Sequence, residues 1–147
     1  MKKFAAAFAV LALSVGIAHA ADDPIAIRKD LMEANGAAAA VSAGLLKGEI
    51  PYNPVVAKEA IMALRAVSHA FGSFFPAGSD KGNTKASPKI WQDMAGFQAT
   101  LAKFQKDTDA AAQASGKKGP ADLAAFKAAI TPVLGNCAAC HRDYRLK

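Results

Sequence analysis

The chain has 147 residues, with 18 Lys and Arg against 12 Asp and Glu for a formal charge of +6. That length holds one domain with a real core. The positive excess is mild and scattered through Ala-rich sequence, which excludes the footprint of a nucleic-acid binder.

The chain opens "MKKFAAAFAVLALSVGIAHAADD". Lys2 and Lys3 precede an apolar run from Phe4 to Ile17, and Ala18-His19-Ala20 places small residues where a signal peptidase reads. The run is shorter than the roughly 20 apolar residues of a membrane span. Residues 1–20 are therefore expected to be a cleaved bacterial signal, and residues 21–147 a single periplasmic domain. Removal of Lys2 and Lys3 leaves a charge of +4. No second long apolar run is expected, so the mature chain should not insert into a membrane.

Breakers divide the remainder into four helical segments. The first covers about 24–47 and ends at Gly48 and Pro51. The second covers about 54–75, opened by Asn53-Pro54 and closed by Pro76 and Gly78. The third covers about 87–114, between Ser87-Pro88 and Gly116. The fourth starts at Pro120 and runs nearly to the end, with Pro132 expected to bend it. "FPAGSDKGNTKASP" is the longest loop and is expected to be mobile. Each segment carries an apolar stripe at helical spacing, with Leu45, Leu64, Phe97 and Phe126 among its members. Four helices of about 20 residues with short connections make an all-α, antiparallel four-helix bundle.

Both cysteines, Cys137 and Cys140, stand in "CAACH", followed directly by His141. On a helix, positions i, i+3 and i+4 project to one side. A zinc site needs about four ligands, and His69 is the only other histidine of residues 21–147. A thioredoxin-like dithiol expects a βαβ context, and none is visible. A disulfide would close a four-residue loop and leave His141 unused. Covalent attachment of one haem c uses all three: two thioethers from Cys137 and Cys140, and an iron ligand from His141.

The stretches "IAIRKDLMEANG" and "CAACHRDYRLK" resemble those of the class II c-type cytochromes, and within them cytochrome c-556. The resemblance spans the mature chain. It implies that Met32 is the iron ligand opposite His141, that Arg28 approaches a haem propionate, and that Arg145 lies near the haem on the His141 side. Two alternatives stay open. A ligating Met32 fits a low-spin electron carrier, since His/Met ligation raises the reduction potential. A Met32 that only fills space leaves a five-coordinate iron that takes nitric oxide or carbon monoxide, as in the cytochromes c prime. An enzyme would need a distal acid–base group, and the first helix offers only Arg28 and Glu33. Met62 and Met94 read as core, His69 as satisfied or solvated, and Trp91, Phe71, Phe75 and Phe97 as packing. The electron-carrier reading implies a redox partner protein, with the cytochrome monomeric or homodimeric.

Overall fold

The computed structural model describes residues 23–147; the expected signal at 1–20 lies outside them. Four long helices carry the fold. They are α1 (Pro24–Lys47), α2 (Pro54–Phe71), α4 (Met94–Ser115) and α5 (Leu123–Tyr144), with a short α3 (Lys89–Gln92) and a 3-10 turn (Gly72–Phe74) between α2 and α4. α1 packs on α2, α2 on α4, α4 on α5 and α5 back on α1, an antiparallel bundle closed into a ring.

Local chemistry sets the helix starts. Asp23, Asn53 and Asp122 each turn a side-chain oxygen onto first-turn N–H groups of α1, α2 and α5, and proline follows directly at the first two of these. Gly48, at φ 73°, ends α1 in the left-handed region and donates its N–H to the Leu45 carbonyl.

The third expected segment is two helices rather than one. Asp93 leaves helical geometry at φ −133° and ψ 61°, and its carboxylate accepts from Gly96 N at 3.0 Å. A side chain that caps a new helix thus ends the old one. The fourth helix starts at Leu123 and not at Pro120, because Asp122 is its cap. It is unbroken at Pro132, and Asn136 Nδ2 donates to the Pro132 carbonyl at 3.0 Å and the Val133 carbonyl at 3.3 Å.

The core has two parts. Leu45, Ile61, Leu64, Phe126, Ile130 and Val133 fill the larger. Phe75, Ile90, Phe97, Leu101 and Tyr144 form the second, with Phe97 edge-on to both Phe75 and Tyr144. Each large side chain removed from water contributes about 2 kcal/mol. Buried hydroxyls are paired: Ser68 and Thr108 meet at 2.9 Å between α2 and α4, and Ser42 Oγ donates to the Ala38 carbonyl at 2.8 Å. Among the described residues, α5 is long and apolar enough to cross a membrane by length and composition, which the sequence reading did not anticipate; its Phe126, Ile130 and Val133 are spent in the bundle core. Met62, expected in the core, is instead exposed on α2.

The 76–88 loop is pinned rather than free. Arg28, only 4% exposed, reaches it from α1. One terminal nitrogen donates to the Phe74 carbonyl (2.9 Å) and Ser79 Oγ (2.8 Å), the other to the Ser79 carbonyl (2.7 Å) and Thr84 Oγ1 (3.4 Å). The guanidinium also lies 4.7 Å from the Phe75 ring centroid and 5.6 Å from that of Trp91, a stacking arrangement arginine favours. Beyond α5 the chain adds a short ribbon against the same loop. Ala86 and Arg145 form an antiparallel bridge, Ser87 N donates to Tyr144 O (3.0 Å), and Leu146 N donates to Lys85 O (2.8 Å).

Candidate functional site

A cavity of about 600 Å³ opens between α1, α4, α5 and the pinned loop. This is within the range of cofactor sites. Along one wall, α5 presents Cys137, Cys140, His141 and Tyr144, with Arg145 just beyond its end. From the other side α1 presents Arg28, Met32, Asn35, Gly36 and Ala39, the succession of i, i+4, i+7, i+8 and i+11 positions expected of one helix face. Phe71, Phe75, Phe97, Leu101 and Phe104 supply an apolar lining, and Lys29, Asn83, Thr84 and Lys85 a polar rim.

The structure thus brings together all six residues singled out from sequence: Cys137, Cys140, His141, Met32, Arg28 and Arg145 all line one cavity. Met62 and Met94 do not line it. Met94 packs against the second core cluster. His69 does not line the cavity; it is exposed on α2, with Nε2 3.0 Å from Asp109 Oδ1. Phe71, Phe75 and Phe97 face the cavity as expected, whereas Trp91 packs on Phe75 and donates its indole N–H to the Pro76 carbonyl.

The electrostatics favour neutral sulfur. Burial pushes the Cys140 thiol up to about 11, with Cys137 and Asp143 adding to it, and burial also raises Cys137. Neither is the depressed thiolate of a redox or zinc cysteine. His141 is partly open to solvent, yet lost hydration against the wall, and then Arg145, lower its pKa. A neutral imidazole keeps a lone pair for a metal. Burial also pulls Arg28 below the ordinary arginine value, with Asp23 opposing.

These features fit a haem. Two thiols and an imidazole share one wall, a thioether comes from the wall across, and aromatic rings supply a dry interior. Lys29, Lys85 and Arg145 at the rim suit the two propionates. Among the described residues no cluster of three or more His, Cys, Asp or Glu could hold a bare metal ion. Arg28 borders the cavity, and its terminal nitrogens donate to the loop that forms the cavity's edge.

Asn35 was not singled out by the sequence reading. It is 8% exposed and lines the cavity, and its Oδ1 pairs with no group among the described residues. An unsatisfied buried carboxamide oxygen costs about 1–3 kcal/mol. Asparagine on an otherwise apolar helix face, one turn after Met32, was the available signal. By contrast, Asn136, also at the cavity, is fully engaged. It accepts from Lys103 and donates to Asp107, which itself receives Lys103 at 2.6 Å.

Comparison with known proteins gives one family. The family described as Cytochrome C' matches residues 23–145. The chain is 38% identical to cytochrome c' of Rhodopseudomonas palustris over 94% of this chain and 92% of that protein. It is 31% identical to cytochrome c-556 of Agrobacterium fabrum over 100% of this chain and 97% of that one. Among solved structures, it resembles cytochrome c' from Rhodopseudomonas palustris with a TM-score of 0.76 at 39% identity, covering 85% of this chain and 97% of that one. Cytochrome c prime from Shewanella frigidimarina gives a TM-score of 0.77 at 30% identity, covering 85% and 95%.

Proposed function

The chain belongs to the cytochrome c′ family, whose members are non-enzymatic proteins carrying one covalent haem c, and on that premise we propose that it is a periplasmic one-electron carrier with His141 and Met32 as axial iron ligands. The observation that carries this reading is the convergence of α1 and α5. A thioether from the first helix and an imidazole from the last border the same apolar cavity.

In this reading Cys137 and Cys140 hold the cofactor by its edge through thioether sulfurs. His141 and Met32 would be the two protein ligands of the iron, and with both engaged no place would remain for substrate. When bound, the haem supplies a single-electron ferric–ferrous couple whose potential a thioether ligand raises. Phe71, Phe75, Phe97 and Phe104 keep water from the interior, and Lys29, Lys85 and Arg145 neutralise the propionates at the rim. Arg28 acts by fixing the loop that forms the rim. Proteins of the family are periplasmic. Residues 1–20 would direct this chain there as a cleaved signal, leaving 21–147 as the mature domain, which exchanges electrons with a partner protein.

A second reading is favoured by the comparisons themselves, because the solved structures described above are both named cytochrome c′. In it Met32 would pack without ligating, His141 would be the one protein ligand of a five-coordinate iron, and the Met32 side of the cavity would take nitric oxide or carbon monoxide. The absorption spectrum separates the two. Low-spin His/Met iron gives a sharp reduced α band and a weak ferric sulfur-to-iron charge-transfer band in the far red. Met32→Ala removes that band and admits carbon monoxide. An unaltered spectrum in Met32→Ala, with carbon monoxide already bound by the wild type, decides for the second reading. Exported protein with the mass of the bare polypeptide refutes both.

A further inference from the structure

We infer that Gly36 sets how deeply the haem seats against α1: with no side chain there, the macrocycle lies on the backbone of the helix, and any larger residue holds it off. The inference rests on the haem reading but not on whether Met32 ligates.

Four glycines stand inside the long helices: Gly36 and Gly44 in α1, Gly96 in α4 and Gly135 in α5. Glycine weakens a helix interior relative to alanine, so each calls for a reason. The chain itself supplies one twice. A Cβ at Gly44 would lie 2.8 Å from Ile50 Cδ1, and one at Gly96 would lie 2.8 Å from the Tyr144 hydroxyl. At Gly36 a Cβ would meet no atom of the described residues within 4 Å, and φ there is not positive. Neither backbone conformation nor packing within the chain asks for glycine, and the next residues, Ala37 to Ala40, are all alanine. What Gly36 does border is the cavity. It lies one turn after Met32 on the same face of α1, about 6 Å along the axis, across from the wall that carries Cys137, Cys140 and His141. A macrocycle is wider than one helical turn, so a haem fastened to that wall and reaching α1 at Met32 also overlies Gly36. A methyl group there would take the space of the ring. Gly135 is the internal control. A Cβ there also meets nothing within 4 Å, but Gly135 is exposed on α5 and does not line the cavity.

The test uses the exported, haem-loaded protein and compares Gly36→Ala with Gly135→Ala, then Gly36→Leu with Gly135→Leu. Gly135→Ala should raise the unfolding midpoint by about 4 °C, the gain of alanine over glycine in a helix. Gly36→Ala is expected to lose that gain and to lower the midpoint instead, and Gly36→Leu to lower it by about 10 °C through overpacking. Visible circular dichroism of the haem reads its seating under either ligand reading. It should change in both Gly36 variants and match the wild type in both Gly135 variants. Equal midpoint gains at the two positions overturn the inference and leave the haem reading standing. So does a midpoint loss at Gly36 with an unchanged haem spectrum, because the cost then lies within the chain. If Gly36→Leu does not load, Gly36→Ala, which adds a single methyl group, carries both measurements. A colourless wild type defeats the haem reading and the inference with it.

Discussion

Replacing Arg28 with Met keeps the stem length and removes the guanidinium that ties α1 to the 74–84 stretch. Three of its hydrogen bonds are short, 2.7–2.9 Å, and one is marginal at 3.4 Å. A charged donor to a neutral oxygen contributes about 1.5–3 kcal/mol. Against three such bonds stands the recovered cost of burying a cation, several kcal/mol, since Arg28 is 4% exposed and has no ion-pair partner among the described residues. The buried Ser79 carbonyl is also left without its donor. The balance is a loss of about 3 kcal/mol, or about 10 °C in unfolding midpoint for a domain of this size. Circular dichroism on the haem-loaded protein measures the midpoint. Trypsin reports on the loop directly, through cleavage after the exposed Lys81 and Lys85. A loss under about 1 kcal/mol with cleavage as slow as in the wild type would refute the clamp. Arg28→Lys should recover little, because one ammonium cannot span two terminal-nitrogen positions.

Three further outcomes follow from the same geometry. Gly119→Ala places a Cβ against the Pro54 carbonyl oxygen at a φ of 93°, and should cost about 3 kcal/mol in a denaturant titration; a neutral result would show the 116–122 turn free to shift. Phe126→Ala empties a fully buried site and should cost about 4 kcal/mol by the same assay. Hydrogen bonds from Lys103 and Asn136 hold the Asp107 carboxyl below the ordinary carboxylate range. Its contribution is therefore present above the unfolded pKa and lost as pH falls through the folded one. The stability advantage of wild type over Asp107→Asn should be full at pH 7 and fade below about pH 4; a difference independent of pH would show that the carboxylate does not matter.

The helix boundaries that could be read from sequence were those with a cap and a proline side by side, as at Asp23-Pro24 and Asn53-Pro54. Asp93 escaped because a polar residue within an apolar-periodic run looks like a solvent-facing position. Only its backbone dihedrals reveal a cap. The α5 wall was legible because Cys137, Cys140 and His141 are neighbours in sequence, and Met32 and Arg28 because they recur with that motif in a known family. The rim from Asn83 to Lys85 was not legible: it is built by contacts from Arg28 and from the 144–146 ribbon, residues distant in the chain. Asn35 was hidden for the same reason, since the orphaning of an amide is a property of everything around it.

The two halves of the cavity come from the first and last long helices, so no contiguous fragment of the chain contains it. A group fastened to α5 could be joined to that helix before the site exists, exposed on one face until α1 arrives. Once both are in place it becomes a strut between the chain's two ends, and whatever holds it from the α1 side also resists the opening of the bundle. Closure of α1 over that group and resistance to unfolding are then one quantity measured twice.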